Sequence, residues 1–153
     1  MSDKKITRYL EDFTEGSTLE CGSYTFNEEE IIRFAREFDP QPFHIDPVGA
    51  AASPYGGIIA SGWHTVSVMM RLMVDGFISG SSSMGSPGVD EVRWLKPVRP
   101  GDTITARAHV KTVIPSKSKP DRGVVKSLME VSNQKDEIVM TVQGMGMYLR
   151  RPQ

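Results

Sequence analysis

The sequence predicts an α+β fold in which an antiparallel sheet wraps around one long central helix. Three observations carry that expectation. Gly56 to Phe77 is the longest apolar stretch, and Ile59, Trp63, Val66, Met69, Met70, Met73 and Phe77 recur in it at helical spacing. In Thr103 to Val113, Ile104, Ala106, Ala108 and Val110 alternate with Thr105, Arg107, His109 and Lys111, the period of a half-buried strand. One strand-like segment precedes the helical stretch and four follow it, which favours a sheet folded around that helix.

The elements follow in order. Residues 1 to about 16 read as a lead-in ending at Gly16, and Ser17 to Phe26 as a first strand. A helix then starts at a well-marked cap. Asn27 suits the N-cap, Glu30 the third position of a capping box, and Phe26 with Ile31 a hydrophobic staple. Glu28 to Glu30 suit the positive end of the helix dipole. Ile31, Phe34, Ala35 and Phe38 form its expected buried face. Pro47 to Tyr55 is a connection with room for a helical turn. The central helix has a thinner polar side of Ser61, His64, Thr65, Arg71 and Asp75, and its methionines read as gap-filling core. Gly76 and Gly80 with Ser79 to Ser83 end it in a flexible loop. Strands are expected at Val89 to Leu95, Thr103 to Val113, Val124 to Ser132 and Ile138 to Leu149, the last two as a hairpin.

Composition narrows the class. At 153 residues, with no repeat or linker, the chain reads as a single domain spanning 1–153. A net charge of −1 with scattered basic residues gives no reason to expect nucleic acid. The single Cys21 forms no intramolecular disulfide, and the polar opening Met-Ser-Asp-Lys-Lys makes the cytoplasm the default location. His64, Arg71 and Asp75 are expensive in lipid, so Gly56 to Phe77 reads as a buried helix and no membrane partner is expected.

The chemistry concentrates in Phe38-Asp39-Pro40-Gln41-Pro42-Phe43-His44-Ile45-Asp46. Pro40 disfavours helix at Asp39, releasing the carboxylate into a stiff loop with His44 five positions on, between Phe43 and Ile45. Such a pair with apolar neighbours is suited to hold and activate one water. The same residues admit a plainer reading, Asp39 turning the chain and His44 packing in the core.

That run resembles the hydratase signature of the MaoC-like family, which includes the (R)-specific enoyl-CoA hydratases. Asp39, Pro42, Phe43, His44 and Asp46 match, Ala50 to Ala52 supply the downstream alanine, and Gln41 replaces the usual asparagine. The resemblance extends through Gly56 to Trp63 and Trp94 to Asp102. It implies the hot-dog fold, usually as dimers or dimers of dimers, and reversible hydration of a 2-enoyl-CoA to a 3-hydroxyacyl-CoA without cofactor or metal. It assigns Asp39 and His44 to the water. Backbone donors at Ser61 and Gly62 would meet the thioester carbonyl, with Ser61 standing where relatives often carry histidine. Ser67 matches a serine that supports the Asp in relatives. A carrier-protein thioester is a further possible substrate. Lys111, Lys117, Lys119 and Arg122 surround a loop suited either to coenzyme A phosphates or to solvent. The rival readings are a thioesterase on the same fold and a non-catalytic acyl-binding subunit.

Overall fold

A computed structural model describes residues 5–153; the polar opening at residues 1–4 lies outside the described residues. Five strands, β1 (Thr18–Thr25), β2 (Val89–Trp94), β3 (Thr103–Pro115), β4 (Arg122–Ser132) and β5 (Ile138–Leu149), form one antiparallel sheet in the order β1-β3-β4-β5-β2. The helices α1 (Glu28–Phe38), α2 (Pro42–Ile45), α3 (Pro47–Ala51) and α4 (Gly62–Gly76) all fall between β1 and β2. That connection therefore runs from one edge of the sheet to the other, with α4 packed on β1 and β3. This is the hot-dog arrangement.

The alternation in β3 positions the sheet against the helix. Ile104, Ala106, Ala108 and Val110 are all buried, and a one-residue slip in pairing would turn them to solvent. From α4, Val68, Met69 and Leu72 join the same core, each worth roughly 1.5–3 kcal/mol of apolar burial. Gly76 lets the end of α4 lie against β1, since a Cβ there would sit 2.9 Å from the Cys21 Cα.

Four expectations change. The lead-in contributes to the core: Leu10 is buried, and Phe13 packs on Tyr148 with ring centroids 4.4 Å apart. Phe38, at the end of α1, is 68% exposed, because the helix stops before its apolar stripe completes another turn over the core. Ser79 to Ser83 is pinned: Ser82 is buried, its hydroxyl donates to the Leu149 carbonyl at 2.9 Å, and Ser81 and Ser83 bridge to Arg8 and Tyr148. Finally, α4 is rotated from the expected orientation. His64 and Thr65, read as its polar side, are buried, while Trp63 is 57% and Met70 45% exposed. The outward apolar stripe lines a groove of about 550 Å³ against β4, β5 and β2. Among the described residues no helix is long and apolar enough to cross a membrane.

Candidate active site

The caps of α1 aim Asp39, the residue that ends it. The Asn27 side chain accepts the Glu30 N–H at 2.9 Å, and Phe26 and Ile31 are fully buried beneath that first turn. At the other end Asp39 leaves the helix at φ −154°, ψ 66°, while its N–H still donates to the Ala35 carbonyl at 2.8 Å. Pro40 enforces the departure. The segment carrying His44 is a single helical turn, where a loop is expected from sequence. Pro42 occupies its first position, where a fixed φ suits a helix and the missing N–H costs nothing. Asp46 caps α3, accepting the Val48 N–H at 3.1 Å.

His44 is buried, and its Nδ1 lies 2.6 Å from the Ile59 carbonyl. A carbonyl only accepts, so Nδ1 carries the proton and donates it. The other nitrogen, Nε2, therefore presents its lone pair when the ring is neutral, and it stands 3.3 Å from Asp39 Oδ2. Asp39 is held from two further directions. The Gln41 amide donates to Oδ1 at 2.6 Å, and the Ser61 hydroxyl donates to Oδ2 at 2.8 Å. Burial by itself would raise the Asp39 pKa. The Gln41 and Ser61 hydrogen bonds and the neighbouring His44 outweigh it and hold the carboxyl below its ordinary value. At neutral pH Asp39 is a fixed anion.

Ser61 is fully buried and caps α4, accepting the Trp63 N–H at 3.3 Å through the oxygen that reaches Asp39. One side chain thus ties the start of the central helix to the carboxylate. Among the described residues no protein acceptor engages the Gly62 N–H, the first of the helix. The absence of a side chain at Gly62 is needed for another reason, because a Cβ there would fall inside the Trp94 indole. Ser67 lies elsewhere: its hydroxyl donates to the Trp63 carbonyl at 2.8 Å, on the exposed side of α4. The hydroxyl that supports Asp39 is that of Ser61.

These groups open on a cavity of about 430 Å³ lined by Asp39, His44, Gly62, Phe43, Trp63 and Trp94. Trp63 and Trp94 meet edge to face with centroids 5.2 Å apart and give the same cavity an apolar wall. Lys96, at the rim, is paired with Glu137. The cluster around Lys117, Lys119 and Arg122 is at the other end of the sheet: Pro115 pairs with Gly123 there, whereas Trp94 and Val139 border the cavity. His109, on β3, bonds Thr18 through Nδ1 at 2.8 Å. Among the described residues no three His, Cys, Asp or Glu side chains converge as a metal would need.

Known proteins resemble this chain along most of its length. Residues 12–133 match the model of the MaoC like domain. The chain belongs to that family. It is 30% identical over 127 residues to the uncharacterised protein YdeM of Bacillus subtilis, covering 83% of this chain and 89% of that one. It is 29% identical over 123 residues to the (R)-specific enoyl-CoA hydratase of Rhodospirillum rubrum, covering 76% and 78% respectively. The crystal structure of a MaoC-like dehydratase from Rhodospirillum rubrum superposes with a TM-score of 0.89 at 37% identity, covering 96% of this chain and 100% of that one. The named relatives thus include a hydratase and a dehydratase.

Sequence reasoning missed four participants: the Ile59 carbonyl, the Gln41 amide, the Ser61 hydroxyl as a partner of Asp39, and the Trp94 wall. Two of them left a signal. Gln41 stands one residue beyond a proline that turns the chain back on Asp39, and a serine before a long helix announces a cap whose oxygen is fixed in place.

Proposed function

We propose that the chain catalyses reversible hydration of a 2-enoyl-CoA thioester to the 3-hydroxyacyl-CoA, with Asp39 and His44 as the working pair. The observation that carries this reading is the shared cavity of about 430 Å³, lined by the pair and by Gly62, whose N–H has no protein acceptor among the described residues. Water can donate one hydrogen to His44 Nε2 and the other to Asp39 Oδ2, which stand 3.3 Å apart. Attack on the β-carbon forms the C–O bond as an O–H bond breaks, and Nε2 takes that proton. The π electrons move into the thioester, whose oxygen gains charge and is met by the Gly62 N–H at the positive end of α4. The His44 imidazolium then returns a proton to the α-carbon, and Asp39 stays ionised throughout. This division of labour follows from Asp39 being a weak base under its two donors, whereas Nε2 holds a free lone pair.

The similarity to an (R)-specific enoyl-CoA hydratase supports the CoA thioester class, and the same thioester on acyl carrier protein is the alternative substrate to be compared. Two protomers are expected to pair, covering the outer stripe of Trp63 and Met70 and the groove of about 550 Å³. Light scattering at micromolar protein should report a dimer or a dimer of dimers, and a monomer refutes the pairing.

The decisive assay offers crotonyl-CoA and follows the conjugated thioester absorbance together with free thiol. Hydration removes the absorbance without releasing thiol, whereas thiol release at a comparable rate reassigns the chain as a thioesterase. Asp39→Asn and His44→Gln should each lower turnover roughly 10²–10⁴-fold. The double variant should be little worse than the worse single, because the pair acts as a unit. Near-normal turnover in well-folded Asp39→Asn protein overturns the assignment.

A further inference from the structure

His64, on the buried face of α4 one turn beyond Ser61, takes no part in the proposed chemistry. It is only 7% exposed, and its Nδ1 is buried without a hydrogen-bond partner among the described residues. Its ring lies flat on Phe34 of α1, centroids 4.7 Å apart and planes within 8°, and meets Phe26 edge-on at 4.9 Å. The same stack stands close behind the catalytic pair on both helices. Phe34 precedes Asp39 by five residues and His64 follows Ser61 by three, and the Ser61 hydroxyl holds Asp39 Oδ2 at 2.8 Å. Any change in how α1 sits on α4 is therefore passed to the Asp39–Ser61 bond.

Charged groups reach His64 from α1. Glu30, Arg33 and Glu37 line with it a cavity of about 210 Å³. Glu30 is already committed, accepting the Tyr24 hydroxyl from β1 at 2.5 Å and facing Arg33 at 3.8 Å. Phe26, next to the end of β1, is apolar, and on α4 itself Ser61 and Thr65 are neutral, while Arg71 and Asp75 are exposed and paired with each other. A proton on the imidazole thus places a cation on the Phe34 ring, in a cavity lined by Glu30, Arg33 and Glu37, with no hydrogen bond between the buried Nδ1 and either carboxylate among the described residues. Burial holds the His64 pKa below its ordinary value, against the pull of Glu30 and with the help of Arg33.

We propose that His64 is a positioning residue: uncharged, it stacks α1 on α4 and seats Asp39 against Ser61, and on protonation it releases α1 so that the carboxylate loses its seat. The sign follows from linkage. The unfolded chain takes up this proton as pH falls through about 6.5, the folded chain only at lower pH, so stability is lost as pH falls across that interval.

The test compares parent protein with His64→Phe, which keeps the stack and cannot titrate, and with His64→Gln, which cannot titrate and does not depend on fitting a larger ring. Urea midpoints between pH 7 and 5 should fall more steeply for the parent than for either variant, His44 and His109 being common to all three. On crotonyl-CoA, the acid limb of kcat/KM should move to lower pH in His64→Phe. Parallel midpoint slopes in the parent and the foldable variants overturn the proposal, as does an acid limb that stays in place while hydration proceeds. The rate measurement rests on the hydratase reading and the midpoints do not. A chain that hydrates no enoyl-CoA refutes that reading and leaves the midpoint comparison to decide the role of His64.

Discussion

Ser61→Ala deletes one oxygen atom and two attachments. The lost hydroxyl donates to Asp39 Oδ2 at 2.8 Å and accepts the Trp63 N–H at 3.3 Å, from a fully buried position. A hydrogen bond to a charged group contributes about 1.5–3 kcal/mol, and loss of a serine N-cap costs about 1 kcal/mol. Asp39 keeps 19% of its side chain exposed, so water can partly replace the missing donor and the lower figure applies. The sum is about 2–3 kcal/mol, which at about 2 kcal/mol per molar moves the urea midpoint down by roughly 1–1.5 M. Ser61→Gly separates the two parts, because glycine preserves most of the cap and removes the Asp39 bond. Combining Ser61→Ala with Asp39→Asn in a double-mutant cycle should return a coupling of about 1–2 kcal/mol. Asp39 also loses a donor that lowers its pKa, so kcat/KM should fall about 10-fold, equivalent to about 1.4 kcal/mol. A midpoint shift below about 0.3 M, or zero coupling, refutes the claim that Ser61 seats the carboxylate.

Gly62→Ala pushes a methyl group into the Trp94 indole and should cost about 1–3 kcal/mol, with a change in tryptophan emission; Trp94→Ala in the same protein should recover most of the loss. Asp39 contributes stability that is present above pH 3.8 and lost as pH falls through its lower folded value. Acid titration should therefore unfold Asp39→Asn with a shallower dependence between pH 4 and 2 than the parent, and identical slopes count against a depressed carboxyl. Leu10→Ala, in the segment ahead of the first strand, should cost about 2–5 kcal/mol by denaturant unfolding, because Leu10 is part of the core. A change under about 0.5 kcal/mol returns that segment to a loose leader.

Local pattern was enough to locate the elements that bring Asp39 and His44 together. The period of two in β3, the cap at Asn27 and the break at Asp39-Pro40 depend on neighbours in the chain, and each stands where those neighbours put it. The hairpin of β4 and β5 and the approach of Asp39 to His44 belong to the same class: the first needs only a short turn, the second only two prolines and one helical turn between the partners. What local pattern does not contain is a helix's rotation about its axis when apolar residues surround it. On α4 the burial of His64 and Thr65 goes with Phe26 and Phe34 arriving from β1 and α1, and Trp63 and Met70 are left on the groove between α4 and strands β2, β4 and β5. The choice between Ser61 and Ser67 follows from the same rotation. Both are serines near the start of the helix, yet six residues on a 3.6-residue turn place them on different faces, and only the face turned toward α1 meets the carboxylate. The Ile59 carbonyl that fixes the His44 proton is a backbone group, common to every residue type, so only the fold decides which carbonyl reaches the imidazole.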